Sequence, residues 1–211
     1  MKIKSFTVNG FGVNSFLLSD DSRECLIIDP GFYDQHEKDS LIDFISKNKL
    51  KPVAVLNTHC HVDHILGNKF VCEHFHIPLS IHQEDQFLLD RAMQMGLIFG
   101  FKVQPSPPPD TYLKEGDTVR FGNSELEVIH TPGHSPGSIS FYHKKDEFVI
   151  AGDVLFAGSI GRTDLPKGNY ETLISSILNK ILVLPPETAV FPGHGPSTTI
   201  RHEYDTNPFL Q

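Results

Sequence analysis

Between Asn57 and Asn68 the chain reads NTHCHVDHILGN, which places His59, His61, Asp63 and His64 within six residues. Three imidazoles and a carboxylate so close together suit one of two roles: a histidine-rich surface turn, or one wall of a metal site whose other wall lies further along the chain. Further donors recur in similar settings, with His134 in HTPGHSPGS, Asp153 closing EFVIAGD and His194 in AVFPGHG. Singly, each has an ordinary explanation: Asp63 as an acid in a first helical turn, Asp153 as a turn or cap residue, each histidine as a solvated side chain. As a set of seven nitrogen and oxygen donors, all just beyond strand-like runs, they favour a metal site. The donors include no thiolate, which suits zinc first and also admits iron or manganese. His36, His74, His76, His82, His130, His143 and His202 lack this setting and are read as ordinary histidines.

Elements must position these donors. Residues 3–8 and 13–18 alternate loosely around Asn9–Gly10, a hairpin signal. CLIID (25–29), a helical pattern over 40–49 and VAVLNT (53–58) together read strand–helix–strand. His59 and His61 then follow a strand directly, and residues two apart in extended chain face the same way, so both can reach one metal. Asp63 and His64, rotated onto a first helical turn, would address a second position. The helix opened by Asp63 runs to His76–Pro78, PLSIH is a strand candidate, and 84–95 reads as a helix. QPSPPPD (104–110) can be neither helix nor central strand and is read as a loop within one domain covering 1–211. A hairpin over 118–131 turning at Gly122–Asn123, strands in SISFYHK and EFVIAGD, an amphipathic helix over 170–182 and a strand in TAVFPGHG complete the pass. Two strand-rich halves with helices between them predict a sheet sandwich flanked by helices, in the α/β class.

Eighteen Lys and Arg against 26 Asp and Glu leave a net charge of −8, with no basic stripe, which argues against a nucleic-acid partner. Cys25, Cys60 and Cys72 form no paired framework, and Cys60, alternating with two donors, should face the packed side. Neither a signal-peptide core nor an apolar run of membrane-spanning length is evident, so a cytoplasmic protein without a membrane partner is expected.

The run Thr58-His59-Cys60-His61-Val62-Asp63-His64 resembles the T-H-x-H-x-D-H signature of the metallo-β-lactamase superfamily, with His134, Asp153 and His194 at its remaining ligand positions. That resemblance spans nearly the whole chain and implies the αββα fold, two mixed β-sheets sandwiched between helices. It implies two divalent metal ions, the first held by His59, His61 and His134, the second by Asp63, His64 and His194, with Asp153 bridging. DVLFAGSIGRTDLPKGNYETL and FPGHGPSTTIRHEYDTNPFL look like the short glyoxalase II-like hydrolases, which implies hydrolysis of a small-molecule thioester of the S-lactoylglutathione type. Hydroxide held between the cations would attack, with Asp63 orienting it.

Arg162 falls where glyoxalase II enzymes carry a basic residue that contacts a glutathione carboxylate; a loop tie to Asp164 is the other reading. Two departures bear on glutathione: Pro196 stands where those enzymes have a tyrosine, and only 17 residues follow His194, too few for their C-terminal helical domain. A second activity on the same fold is the persulfide dioxygenase, which would hold a single iron by His59, His134 and Asp153.

Overall fold

The computed structural model describes residues Met1–Gln211. A first sheet contains β1 (Lys2–Val8), β2 (Val13–Ser19), β3 (Glu24–Ile28), β4 (Lys51–Leu56), β5 (Leu79–His82) and β6 (Thr111–Leu113), paired in that order. The β1–β2 and β2–β3 pairs are antiparallel, and β3 to β6 run parallel. The second sheet takes β7 (Thr118–Phe121), β8 (Ser124–His130), β9 (Ile139–His143), β10 (Phe148–Gly152), β13 (Ala189–Pro192) and β14 (Thr198–Thr199), with only β10–β13 parallel. Between β10 and β13 lies a small ribbon, β11 (Leu155–Phe156) with β12 (Ser159–Ile160).

The two-residue side-chain period of a strand builds the layers. On β3, Leu26 and Ile28 face the second sheet, while Cys25 and Ile27 face the helices. On β10, Phe148 and Ile150 meet them from across the sandwich, and Val149 and Ala151 turn outward. Each buried Leu, Ile, Val or Phe among these contributes about 1.5–3 kcal/mol. The outer face of the first sheet is covered by α1 (Gln35–Asn48), α3 (Asn68–Phe75), α4 (Gln86–Asp90) and α5 (Ala92–Phe99). That of the second is covered by α6 (Tyr170–Ser176) and α7 (Ile200–Thr206). The αββα sandwich expected from the sequence is the observed fold. No helix is long and apolar enough to cross a membrane.

Several element bounds differ from expectation, for local reasons. The first helix starts at Gln35, five residues earlier than the apolar pattern, because Asp34 and Glu37 form a reciprocal capping box. The helix opened by Asp63 breaks into α2 (Val62–Ile65) and α3. At the break, Gly67 passes so close to Pro30 that an added Cβ would lie 2.6 Å from the Pro30 carbonyl. The span 84–95 is a 3₁₀ turn over Gln83–Asp85, then α4, then α5, which continues to Phe99 and stops at Gly100 in the left-handed region. The helix from Tyr170 widens to a π-type turn over Ile177–Ile181.

Candidate metal centre

All seven predicted donors lie at one end of the sandwich, beyond the C-terminal ends of β4, β8, β10 and β13. Contacts between the sheets bring those ends together. The Asn14 side chain on β2 donates to the carbonyls of Pro192 (3.1 Å) and Gly195 (2.8 Å), and Ile139 N donates to Thr58 O at 2.8 Å. Asp85, fully buried, accepts from Cys60 N (2.9 Å), Ser135 Oγ (2.8 Å) and Gly137 N (2.7 Å), fastening the His59–His61 loop to the His134 loop. Gly193 is required by crowding: a Cβ there would lie 2.2 Å from Asp153 Oδ1 and 2.7 Å from His64 Cε1.

The donors form two trios. In the first, His134 Nε2 lies 3.2 Å from His59 Nε2 and 2.8 Å from His61 Nδ1. In the second, His194 Nε2 lies 3.3 Å from both His64 Nε2 and Asp63 Oδ2, and His64 Nε2 is 3.7 Å from Asp63 Oδ2. Asp153 reaches both trios, with Oδ2 3.6 Å from His134 Nε2 and 3.5 Å from His194 Nε2, and Oδ1 3.5 Å from His64 Nε2. Two nitrogens bound to one zinc at bond lengths of about 2.0–2.1 Å and a tetrahedral angle lie roughly 3.3 Å apart, close to these separations.

The outer hydrogen bonds set the tautomers, because carbonyls and carboxylates can only accept. His64 Nδ1 donates to Asp29 Oδ2 at 3.1 Å, His134 Nδ1 to Arg162 O at 2.8 Å and His194 Nδ1 to Phe11 O at 3.1 Å. Thr58 Oγ1 gives its one hydrogen to Asp29 Oδ2, so it accepts from His59 Nδ1 at 3.1 Å. In their neutral form all four imidazoles therefore turn an Nε2 lone pair toward the centre. His61 alone presents Nδ1, leaving its Nε2 buried without a partner; Asp153 Oδ1 is likewise buried and unpartnered. Three ring nitrogens, two of them within 3.2 Å of the third, beside an unpartnered carboxylate oxygen, are the surroundings a cation satisfies. The histidine and aspartate groups fit a divalent metal site.

Electrostatics divides the trios. Burial, reinforced by neighbouring imidazoles, holds His59 well below the ordinary histidine range and lowers His61 to about 3. Both are thus neutral imidazoles at physiological pH. Burial opposes charge on His64 as well, but Asp153 and Asp63 outweigh it and raise its pKa. The carboxyl of Asp63 is lowered: burial works against this, and His64 and His194 prevail.

Asp29 is the residue that sequence reasoning did not single out. It follows β3 directly in the left-handed region (φ 49°), fully buried, and also accepts from Thr58 N at 2.7 Å. An acid closing the buried run CLIID just before Pro30–Gly31 was the available signal, since it shares the strand-end setting of the seven donors. Arg162 lines the same cleft, but its guanidinium forks onto Asp164 with two 2.7 Å bonds, both side chains being exposed. Cys60 packs in the helix-side core, as expected.

Comparison with known proteins agrees with this geometry. Residues 8–194 match the family model of the metallo-beta-lactamase superfamily. Among relatives, the probable metallo-hydrolase YqgX of Bacillus subtilis is 45% identical, with 100% of this chain and 98% of the relative covered. Hydroxyacylglutathione hydrolase GloC of Haemophilus influenzae is 37% identical, with the same coverage of 100% and 98%. Of solved structures, the BLEG-1 B3 metallo-beta-lactamase superposes with a TM-score of 0.92 at 40% identity over 100% of both chains. The protein TTHA1623, solved in a di-iron-bound form, gives a TM-score of 0.88 at 38% identity over 98% of this chain and 100% of its own. With the fold, the signature and these relatives in agreement, the chain belongs to the metallo-β-lactamase superfamily.

Proposed function

We propose that this protein hydrolyses small-molecule thioesters of the S-lactoylglutathione type, using two divalent metal ions. The observation that carries the reading is the complete second trio of Asp63, His64 and His194, set beside the first and spanned by Asp153. His59, His61 and His134 would hold one ion, the second trio the other, and Asp153 both. Zinc is the first candidate from the donor set, and the neighbour solved in a di-iron-bound form keeps iron in view. Such a pair of cations would supply a water of lowered pKa and would polarise the scissile carbonyl. Asp63, held as a carboxylate on the cleft floor, accepts a hydrogen bond from the attacking water and orients it.

The leaving group separates the possible substrates. The two carboxyls lining the cleft, Asp63 and Asp153, are both shifted below the ordinary range, so neither is poised to donate a proton near neutral pH. A thiolate, with a conjugate-acid pKa of about 8.5, departs without one. An amine leaving a β-lactam or peptide needs one. GloC supports the thioester reading by its name, and BLEG-1 makes β-lactam hydrolysis the second reading.

The test is metal analysis of protein purified under native metal supply, with three assays run in parallel: S-lactoylglutathione hydrolysis, hydrolysis of a chromogenic β-lactam, and oxygen uptake on glutathione persulfide. Two metals per chain and thioester turnover lost on chelation are expected. One iron with oxygen uptake would replace the reading with a dioxygenase, and a preferred β-lactam would replace it with the second. Asp63→Ala should fold, keep the metal of the first trio and lose orders of magnitude in kcat. Near wild-type turnover in that variant would mean the second trio is not used.

A further inference from the structure

The centre opens into a cleft of about 510 Å³ whose lining is mainly apolar. Apart from the metal-site donors, the polar side chains lining it are Cys60, Ser159 and Arg162, and the Arg162 charge is already matched by Asp164. One wall is built from Phe11 in the β1–β2 turn, Leu88 on α4, and Met95 and Phe99 on α5. Phe11 meets Phe99 edge-to-face at 5.6 Å and Phe101 at 5.3 Å, so the wall is a braced aromatic cluster. Its apolar surface stays partly open to solvent: Phe11 is 46% exposed and Phe99 39%. Contiguous exposed apolar surface running into a cleft over a reactive centre is what a ligand groove presents. A hydroxyacyl group would leave that wall wet.

We infer that Phe11, Leu88, Met95 and Phe99 form a pocket for an apolar acyl group, so that alkanoyl thioesters of medium length are better substrates than the hydroxyacyl thioester of the same thiol. The inference rests on the thioester-hydrolase reading and names the acyl class within it. Holding the thiol constant isolates the acyl side: acetyl-, butanoyl-, hexanoyl-, octanoyl- and lactoyl-glutathione are compared by kcat/KM. Each methylene moved from water to the wall should raise kcat/KM about fourfold until the pocket is full.

Phe99→Ala should cut the octanoyl-to-acetyl ratio at least tenfold. Phe11→Ala is a second, independent variant, and both positions are exposed enough that neither replacement opens a core cavity. A flat series, or lactoylglutathione as the best substrate, would overturn the pocket. Calorimetric binding of S-octylglutathione and S-methylglutathione, which cannot be hydrolysed, to the protein as purified separates this from failure of the hydrolase reading. Octyl binding at least tenfold tighter, and weakened by Phe99→Ala, supports the pocket even if no thioester is turned over. Equal binding of the two thioethers would overturn it.

Discussion

Replacing Asp29 by asparagine tests whether the outer hydrogen bonds prepare the metal donors. Asparagine tolerates the left-handed backbone that Asp29 adopts and keeps its size, so the backbone need not move. What changes is the side facing Thr58 Oγ1 and His64 Nδ1, where Asp29 Oδ2 accepts from both. With the remaining oxygen kept on Thr58 N, an amide NH₂ faces them instead. His64 Nδ1 must then accept, which moves its hydrogen to Nε2, the atom aimed at the second trio. Thr58 must accept from the amide as well, so its own hydrogen turns toward His59 Nδ1 and pushes the His59 hydrogen to Nε2 in the same way. One substitution thus turns two ligands the wrong way round. Loss of such a supporting partner lowers metal affinity ten- to a hundredfold, and both trios contain an affected histidine. The corresponding loss is about 1.4–2.7 kcal/mol for each metal. Competition with a chromophoric chelator measures it, with circular dichroism as the control for folding. If Asp29→Asn holds both metals within about threefold of the parent affinity, the tautomer argument is wrong.

Gly193→Ala should fold with its metal content reduced, because the new methyl would meet Asp153 and His64; full occupancy of two metals would show that the crowding is relieved at no cost. If a substrate carboxylate takes the place of Asp164 on the Arg162 guanidinium, Arg162→Ala should raise KM several-fold for thioesters carrying a carboxylate, and leave small neutral thioesters nearly unchanged. Equal losses on both substrates with a lowered Tm would make the Asp164 pair a structural tie. The three thiols should resist a disulfide reagent at pH 8 and all react after denaturation. Burial pushes Cys25 and Cys72 up to about 12 and holds Cys60 well above its ordinary range. Rapid labelling of one native thiol would contradict that burial.

Local chemistry made much of this protein legible in advance. Strand-period runs such as CLIID and EFVIAGD end in turn residues, and the donors His59, His61, Asp153 and His194 follow such runs directly. Their shared placement at strand ends could therefore be read without coordinates, and with it the sandwich. The Gly122–Asn123 hairpin was legible for the same reason: its turn chemistry is carried by adjacent residues. Features that depend on distant partners were not. The break at Gly67 needs the Pro30 backbone, 37 residues earlier in the chain. The tie between the ligand loops needs Asp85 from between α3 and α4, and the tautomers of His59 and His64 need Asp29 from a different strand. The apolar wall joins a turn near residue 11 to helices beyond residue 86, so no periodicity could assemble it. The sequence determined which donors were available and on which strands they sat, because residue type and strand period are local properties. Only the packing of one sheet against the other decided how far apart those donors stand, which nitrogen each presents and what surface surrounds them, because those follow from contacts between segments the chain keeps far apart.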